Sequence, residues 1–289
     1  MNDFLVRALF GALITGAAGP AIGIYLVQRR LSLIGDGLGH VALTGVGLGL
    51  LLQRSPVIMA VIVAAIGAVV IELVRERGTT SGDVALAMLF YGGISGGVVL
   101  VNLSSSQSSR SLVSYLFGSL LTTTSGDLVI MGILGAAVLA VAIVGRPWLF
   151  AVCHDEEYAR VAGLPVRALN LTLAITTAVT VTVAMRAVGL LLVSALMVVP
   201  VATAQQITRG FTATMLLGIA LGLISAGGGV LASISANTGP GATIVLLAIA
   251  GFFLVTLAAS VIRATRRRRP GQPVDQVAPE PEVILDRTY

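Results

Sequence analysis

Nine long apolar runs dominate the sequence, near residues 4–27, 34–52, 56–75, 84–102, 127–145, 167–185, 188–207, 212–236 and 240–262. Each approaches or exceeds the roughly 20 residues that a helix needs to cross the hydrocarbon core of a bilayer. Only short polar connectors separate most of them. Charged residues make up 11% of the 289 residues, against roughly 25% in an ordinary soluble domain. A water-soluble globule of this size has no interior large enough to hide so much apolar surface. In lipid the backbone must satisfy its own hydrogen bonds, which long apolar runs do as helices. The sequence therefore predicts an all-α, polytopic transmembrane bundle of about nine spans, or eight if one short run does not cross. Soluble enzymes and nucleic-acid-binding proteins are excluded.

Glycine is abundant, with 34 residues scattered through the apolar runs. Small residues let helix backbones approach closely in lipid, so the spans are expected to pack as one bundle. A shorter apolar stretch, Leu112 to Leu121, is too short to cross and reads as re-entrant or interfacial. The single cysteine, Cys153, forbids an intrachain disulfide. Lysine is absent, and all 18 basic residues are arginine.

The arginines orient the chain. Arg29 and Arg30 follow the first run, Arg75 and Arg77 the third, and Arg146, Arg160 and Arg167 occupy the connector after the fifth. Arg209 follows the seventh, and Arg263, Arg266, Arg267, Arg268 and Arg269 cluster at the end of the ninth. With nine alternating spans these all fall on one side. Arg7, Arg54, Arg110 and Arg186 fall on the other. The positive-inside rule then places the N-terminus outside and the C-terminus in the cytoplasm. The five clustered arginines equal the whole net charge of +5, so the high isoelectric point marks a local anchor and not a surface for nucleic acid. Arg29 and Arg30 follow the first run like an inside anchor, which argues against a cleaved signal peptide. Residues 1–263 form the expected membrane domain, with 146–167 as a cytoplasmic segment. The proline- and charge-rich residues 264–289 read as a disordered tail.

Ionisable side chains inside a span are costly, and so they are functional candidates. Asp36 and His40 stand in Gly35-Asp36-Gly37-Leu38-Gly39-His40, and their four-residue spacing puts both on one helix face. A carboxylate with a neutral imidazole suits divalent zinc, manganese or iron. The same pair also suits an Asp–His hydrogen bond that ties helices together. The intervening glycines leave room for a neighbouring helix or an ion. Glu72 is a second buried acid, with an interfacial ion pair to Arg75 as its simplest role and a place on a transport path as the other. Asp83 and Asp127 read as helix caps. Cys153 and His154 are adjacent but lack the further ligands that a structural zinc site needs.

The connector from Asp155 to Pro165 has its own pattern. Asp155, Glu156 and Glu157 open it, Tyr158, Val161 and Ala162 share one helical face, and Gly163 and Pro165 end it. It reads as a short amphipathic helix. Acids at its start disfavour anionic lipid, so a protein partner is expected. In the seventh run Ser194, Pro200, Thr203 and Gln205 are polar or helix-breaking, and Pro200 is expected to kink a helix that either lines a pathway or simply packs.

Several stretches resemble the membrane permease of bacterial ABC importers for zinc, manganese or iron, of the type served by a cluster A-I binding protein. Arg30 to Leu43 is similar to the family's "R-x-x-x-x-G-D-x-x-x-H-x-x-L" run, Ser114 to Gly118 to its "SYLFG" stretch, Asp155 to Pro165 to its "D-x-E-x-A-x-x-x-G-x-P" coupling segment, and Pro200 to Ala204 to its "PAATA" stretch. The resemblance covers residues 5–260 or so. It implies a type II importer-like fold, a permease homodimer, two cytoplasmic ABC ATPase subunits and an extracytoplasmic metal-binding protein. It implies that Asp36 and His40 line the ion path. It also implies that Asp155, Glu156, Glu157, Tyr158, Ala159 and Gly163 belong to a coupling helix docked on the ATPase. The cargo would be a divalent metal, zinc foremost, with no permanently bound cofactor. A chain without lysine has no G-x-x-x-x-G-K-[ST] phosphate loop, so ATP hydrolysis falls to a partner and this chain is no enzyme. The alternatives are a siderophore or cobalamin permease, which would not need the Asp–His pair, and an ion-coupled secondary transporter, which would not need the coupling helix.

Overall fold

The computed structural model describes residues 2–77, 82–104, 115–118 and 124–267. Among them the chain forms eleven helices: α1 (Asn2–Gln28), α2 (Ile34–Leu51), α3 (Pro56–Arg77), α4 (Gly82–Leu103), α5 (Ser125–Val144), α6 (Arg146–His154), α7 (Glu156–Val161), α8 (Val166–Ala187), α9 (Leu190–Gln205), α10 (Phe211–Ala236) and α11 (Pro240–Arg267). Each of the nine apolar runs falls on one long helix. α6 and α7 occupy the connector between the fifth and sixth. Sequence reading expected one short helix there. The second, α6, begins where Gly145 ends α5 and Pro147 fits the first turn of a new helix.

Eight helices are long and apolar enough to cross a membrane; α9, at 16 residues, is shorter. Its ends nevertheless lie at opposite ends of the bundle. Gly189, before α9, abuts the backbone of Phe117 and Gly118, where Tyr115 meets Arg186. Gln205, at the other end, shares a cavity with Phe150, His154 and Phe211. One end of the bundle thus gathers Arg7, Ser125, Asp127, Arg186 and Tyr115. The other gathers Arg29, Glu156, Glu76 and Arg167.

α8 lies at the centre, touching α1, α2, α3, α5, α6, α7 and α9. It carries five threonines. Thr172, Thr176, Thr177, Thr180 and Thr182 each donate to the carbonyl four residues earlier, so the buried hydroxyls are satisfied within the helix. Helix contacts use small residues, as lipid-embedded packing requires. Ala60, Ala64 and Ala68 form a fully buried stripe on α3, and Ala60 faces Gly45 of α2. A Cβ on Gly23 would overlap the Met197 carbonyl, so α1 and α9 meet backbone to backbone. α4, α5 and α11 are peripheral and turn large apolar side chains outward, among them Met88, Ile133 and Leu254.

α11 continues through Arg267, past the apolar run and into the arginine cluster. Residues 268–289 of the expected tail lie outside the described residues, as does most of the Leu112–Leu121 stretch; only Tyr115–Gly118 is described, with 115–117 helical.

Candidate functional site

Asp36 lies in the first turn of α2 and His40 one turn further on. Glycine spacing determines what surrounds them. Gly37 faces Leu86 of α4, while Gly35 and Gly39 face Ser194 and Leu190 of α9. A Cβ on Gly93 of α4 would sit 2.7 Å from the His40 carbonyl oxygen, so α4 presses on α2 at the histidine itself. Thr44 secures that contact by donating to the Gly93 carbonyl at 2.7 Å.

Ser194 Oγ donates to Asp36 Oδ1 at 2.6 Å. One carboxylate oxygen is thereby fixed from α9, and the other remains free for a ligand. His40 is buried, its ring edge-on to Phe90 at 4.2 Å, and its Nδ1 has no hydrogen-bond partner. A buried ring nitrogen without a partner is uncommon. Asp36 accepts from Ser194 of another helix, a tie between helices that does not involve His40. Asp36 also opens on a cavity of about 290 Å³ lined by Leu33, Leu86, Ala87, Phe90 and Tyr91. Among the described residues no group of three or more His, Cys, Asp or Glu side chains is placed to hold a metal. Among the described residues the pair therefore offers one carboxylate and one imidazole.

Pro200 and Thr203 are buried in α9, and the Thr203 hydroxyl donates back to the Val199 carbonyl at 2.8 Å. Neither lines the Asp36 cavity. Glu72 is buried and accepts from Arg75 at 2.8 Å, the expected pair. It faces a larger cavity, about 900 Å³, shared with Glu76, Glu156, Arg160 and Arg167.

α7 is built as the connector pattern suggested. Asp155 caps it by accepting from the Tyr158 amide at 2.9 Å. At its end Gly163 donates to the Arg160 carbonyl and Leu164 to the Ala159 carbonyl, a Schellman closure that needs the left-handed φ of +80° found at Gly163. Ala159 is fully buried against Val152 and Val166, so it seats the helix and offers nothing to a partner. Glu156 is engaged within the chain. Arg29 donates to it at 2.6 Å and to Asn170 at 2.7 Å, joining α1, α7 and α8. From Asp155 to Gly163 the exposed residues are Asp155, Glu157, Tyr158, Arg160, Val161, Ala162 and Gly163, with Val161 87% exposed.

Thr124 caps α5, and Asp127 sits three residues on in a capping box and also pairs with Arg186. Cys153 is half-buried beside the Arg29–Glu156 pair; burial, with help from the Glu156 charge, pushes its thiol up to about 11, against a smaller downward pull from Arg29. His154 stacks on Phe150 at 5.5 Å.

This arrangement has counterparts. The profile of the ABC 3 transport family matches residues 1–260. The chain belongs to the ABC 3 transport family. Within it, the chain is similar to the high-affinity zinc uptake system membrane protein ZnuB of Haemophilus influenzae, at 32% identity over 85% of this chain and 94% of that protein. It is similar to a probable iron transport system membrane protein of the same organism, at 30% identity over 90% of this chain and 95% of that one. The solved structure of PsaBC from Streptococcus pneumoniae in complex with Fab resembles it with a TM-score of 0.79 and 27% identity, covering 87% of this chain and 90% of that one. This ABC 3 chain is a membrane subunit of an ABC transporter and not an enzyme. Such a permease works with ATPase and substrate-binding subunits.

Proposed function

We propose that this permease imports a divalent transition metal, zinc foremost, with manganese and iron as the other candidates, using Asp36 and His40 as transient ligands. The observation that carries the reading is the pair itself: a carboxylate held by Ser194 on one oxygen, and a buried imidazole whose Nδ1 is unpartnered, one turn apart on α2. Relatives described as zinc and iron transport proteins support the cargo class. A carboxylate and an imidazole replace part of a lost hydration shell for all three metals. Two ligands per chain also hold an ion weakly enough to let it leave, which transport requires.

The cavity beside Asp36 opens on the exposed side of α4, where Met88 and Tyr91 face outward. A second copy packed there would bring a second Asp–His pair to the path and complete the ligand set, so the working unit is a homodimer. Glu157, Tyr158 and Val161 form the face of α7 that docks on a cytoplasmic ATPase, and an extracytoplasmic metal-binding protein delivers the ion to the opposite end. The arginine-rich end, with Arg29, Arg75 and Arg167, is cytoplasmic, which places the C-terminus inside and the N-terminus outside. Replacing Asp36 or His40 by alanine abolishes uptake on this reading, while expression and dimerisation stay intact. Normal uptake in both variants overturns it.

A further inference from the structure

Three cavities lie in series from the Asp36 site to the arginine-rich end of the bundle. The Asp36 cavity shares Leu33 and Leu86 with a smaller one of about 180 Å³, lined by Arg30, Ile34, Ile71 and Arg75. That middle cavity shares Arg75 with the 900 Å³ cavity of Glu72, Glu76 and Glu156. Arg75 is the residue common to the last two, so it lines both. Glu72, 9% exposed at its side chain, fixes the guanidinium at 2.8 Å.

The large cavity contains three carboxylates, yet it is not arranged as a metal site. Each carboxylate is already matched with a guanidinium: Glu72 with Arg75, Glu76 with Arg167 at 3.1 Å, and Glu156 with Arg29 at 2.6 Å and Arg160 at 3.4 Å. A divalent cation moving from Asp36 towards this cavity meets Arg30 and Arg75 in the middle cavity, and of these two only Arg75 also lines the large one. A fixed positive charge beside a path is an electrostatic barrier to cations. The same ion pairs tie the barrier to the connector that carries α7. Arg167, in the first turn of α8, holds Glu76 one turn beyond Glu72, and Glu156 of α7 is held by Arg29. A push on α7 is thereby transmitted to the end of α3.

We infer that the Glu72–Arg75 ion pair is the inner gate of the metal path, a pinned guanidinium that stops the cation between the Asp36 cavity and the cytoplasmic cavity until α7 moves. The inference rests on the reading of Asp36 as the ion's site. The test uses the full-length chain with its ATPase subunits, reconstituted in liposomes loaded with a zinc-sensitive dye. Zinc alone is added outside, without ATP. Wild-type protein is expected to leak no more than protein-free liposomes. R75Q is expected to raise the ATP-independent influx by at least about tenfold. The double variant E72Q/R75Q keeps a hydrogen-bonded, uncharged pair in the same space and should leak equally, so a folding defect in R75Q alone does not decide the matter. R75K, which retains the charge, should return the leak to the wild-type level. Wild-type leak in both R75Q and E72Q/R75Q, with the complexes intact by size-exclusion chromatography, overturns the gate. A leak abolished by adding D36A places both residues on one route and supports the inference. A leak that D36A leaves untouched overturns the assignment of Asp36 while the Arg75 barrier stands.

Discussion

Replacing Arg29 by methionine should loosen α7 without unfolding the bundle. α7 has six residues, far fewer than a helix needs to persist by itself in water. It is held by the burial of Ala159, the cap at Asp155, the closure at Gly163, and the Arg29 guanidinium. The Arg29 side chain is 9% exposed and bridges Glu156 and Asn170. Methionine keeps the apolar stem and removes both bonds. Asn170 is buried, so its Oδ1 loses a donor, at about 1–3 kcal/mol. Glu156 is partly exposed and retains Arg160 at 3.4 Å, so its loss is limited to about 0–1 kcal/mol. A combined effect of about 2 kcal/mol corresponds to roughly thirtyfold more frequent local opening. The assay is hydrogen exchange on the full-length chain in nanodiscs, read at the amides of Ala159, Ala162, Gly163 and Leu164, which close this helix and its cap. A double-mutant cycle with Glu156→Gln should return a coupling of about 1 kcal/mol, within the range for contacting residues. Unchanged exchange at those four amides would refute the claim that Arg29 holds the helix.

Two further outcomes follow from the same region. Alkylation requires the thiolate, and the Cys153 thiol titrates about two units above its ordinary 9.0, so iodoacetamide at pH 8 should label it about a hundredfold more slowly than a free thiol, with the rate still climbing through pH 10; a plateau near pH 9 contradicts this. Glu157 is exposed and makes no ion pair among the described residues, so Glu157→Arg should leave the fold unchanged and weaken co-purification of the ATPase; normal co-purification counts against α7 as the docking helix.

The nine apolar runs were legible because lipid imposes length and hydrophobicity on each span separately. Asp36 and His40 were legible for a related reason: a carboxylate and an imidazole one turn apart in an apolar run stand out against their own helix. Partners were not legible where they lie far along the chain. Ser194 drew notice as a polar residue within a span, but its bond to Asp36 joins residues 158 apart. Arg29 and Glu156 are 127 apart, and Arg29 reads equally well as a topological anchor. Ala159 was placed on the coupling helix by the resemblance alone, and packing on Val152 and Val166 turns it inward. Asp127 was read as a cap, and the structure gives that role to Thr124, with Asp127 answering from the third position.

The central claim is that the transported ion passes through the ligands Asp36 and His40. ATP-driven zinc uptake by the complete reconstituted transporter, with Asp36→Ala and His40→Ala compared at matched protein and matched ATPase activity, tests it most directly. The account predicts that zinc flux in each variant falls to the background of protein-free liposomes while ATP hydrolysis continues. Flux within about twofold of wild type in both variants, well short of the tenfold that 1.4 kcal/mol represents, would contradict it.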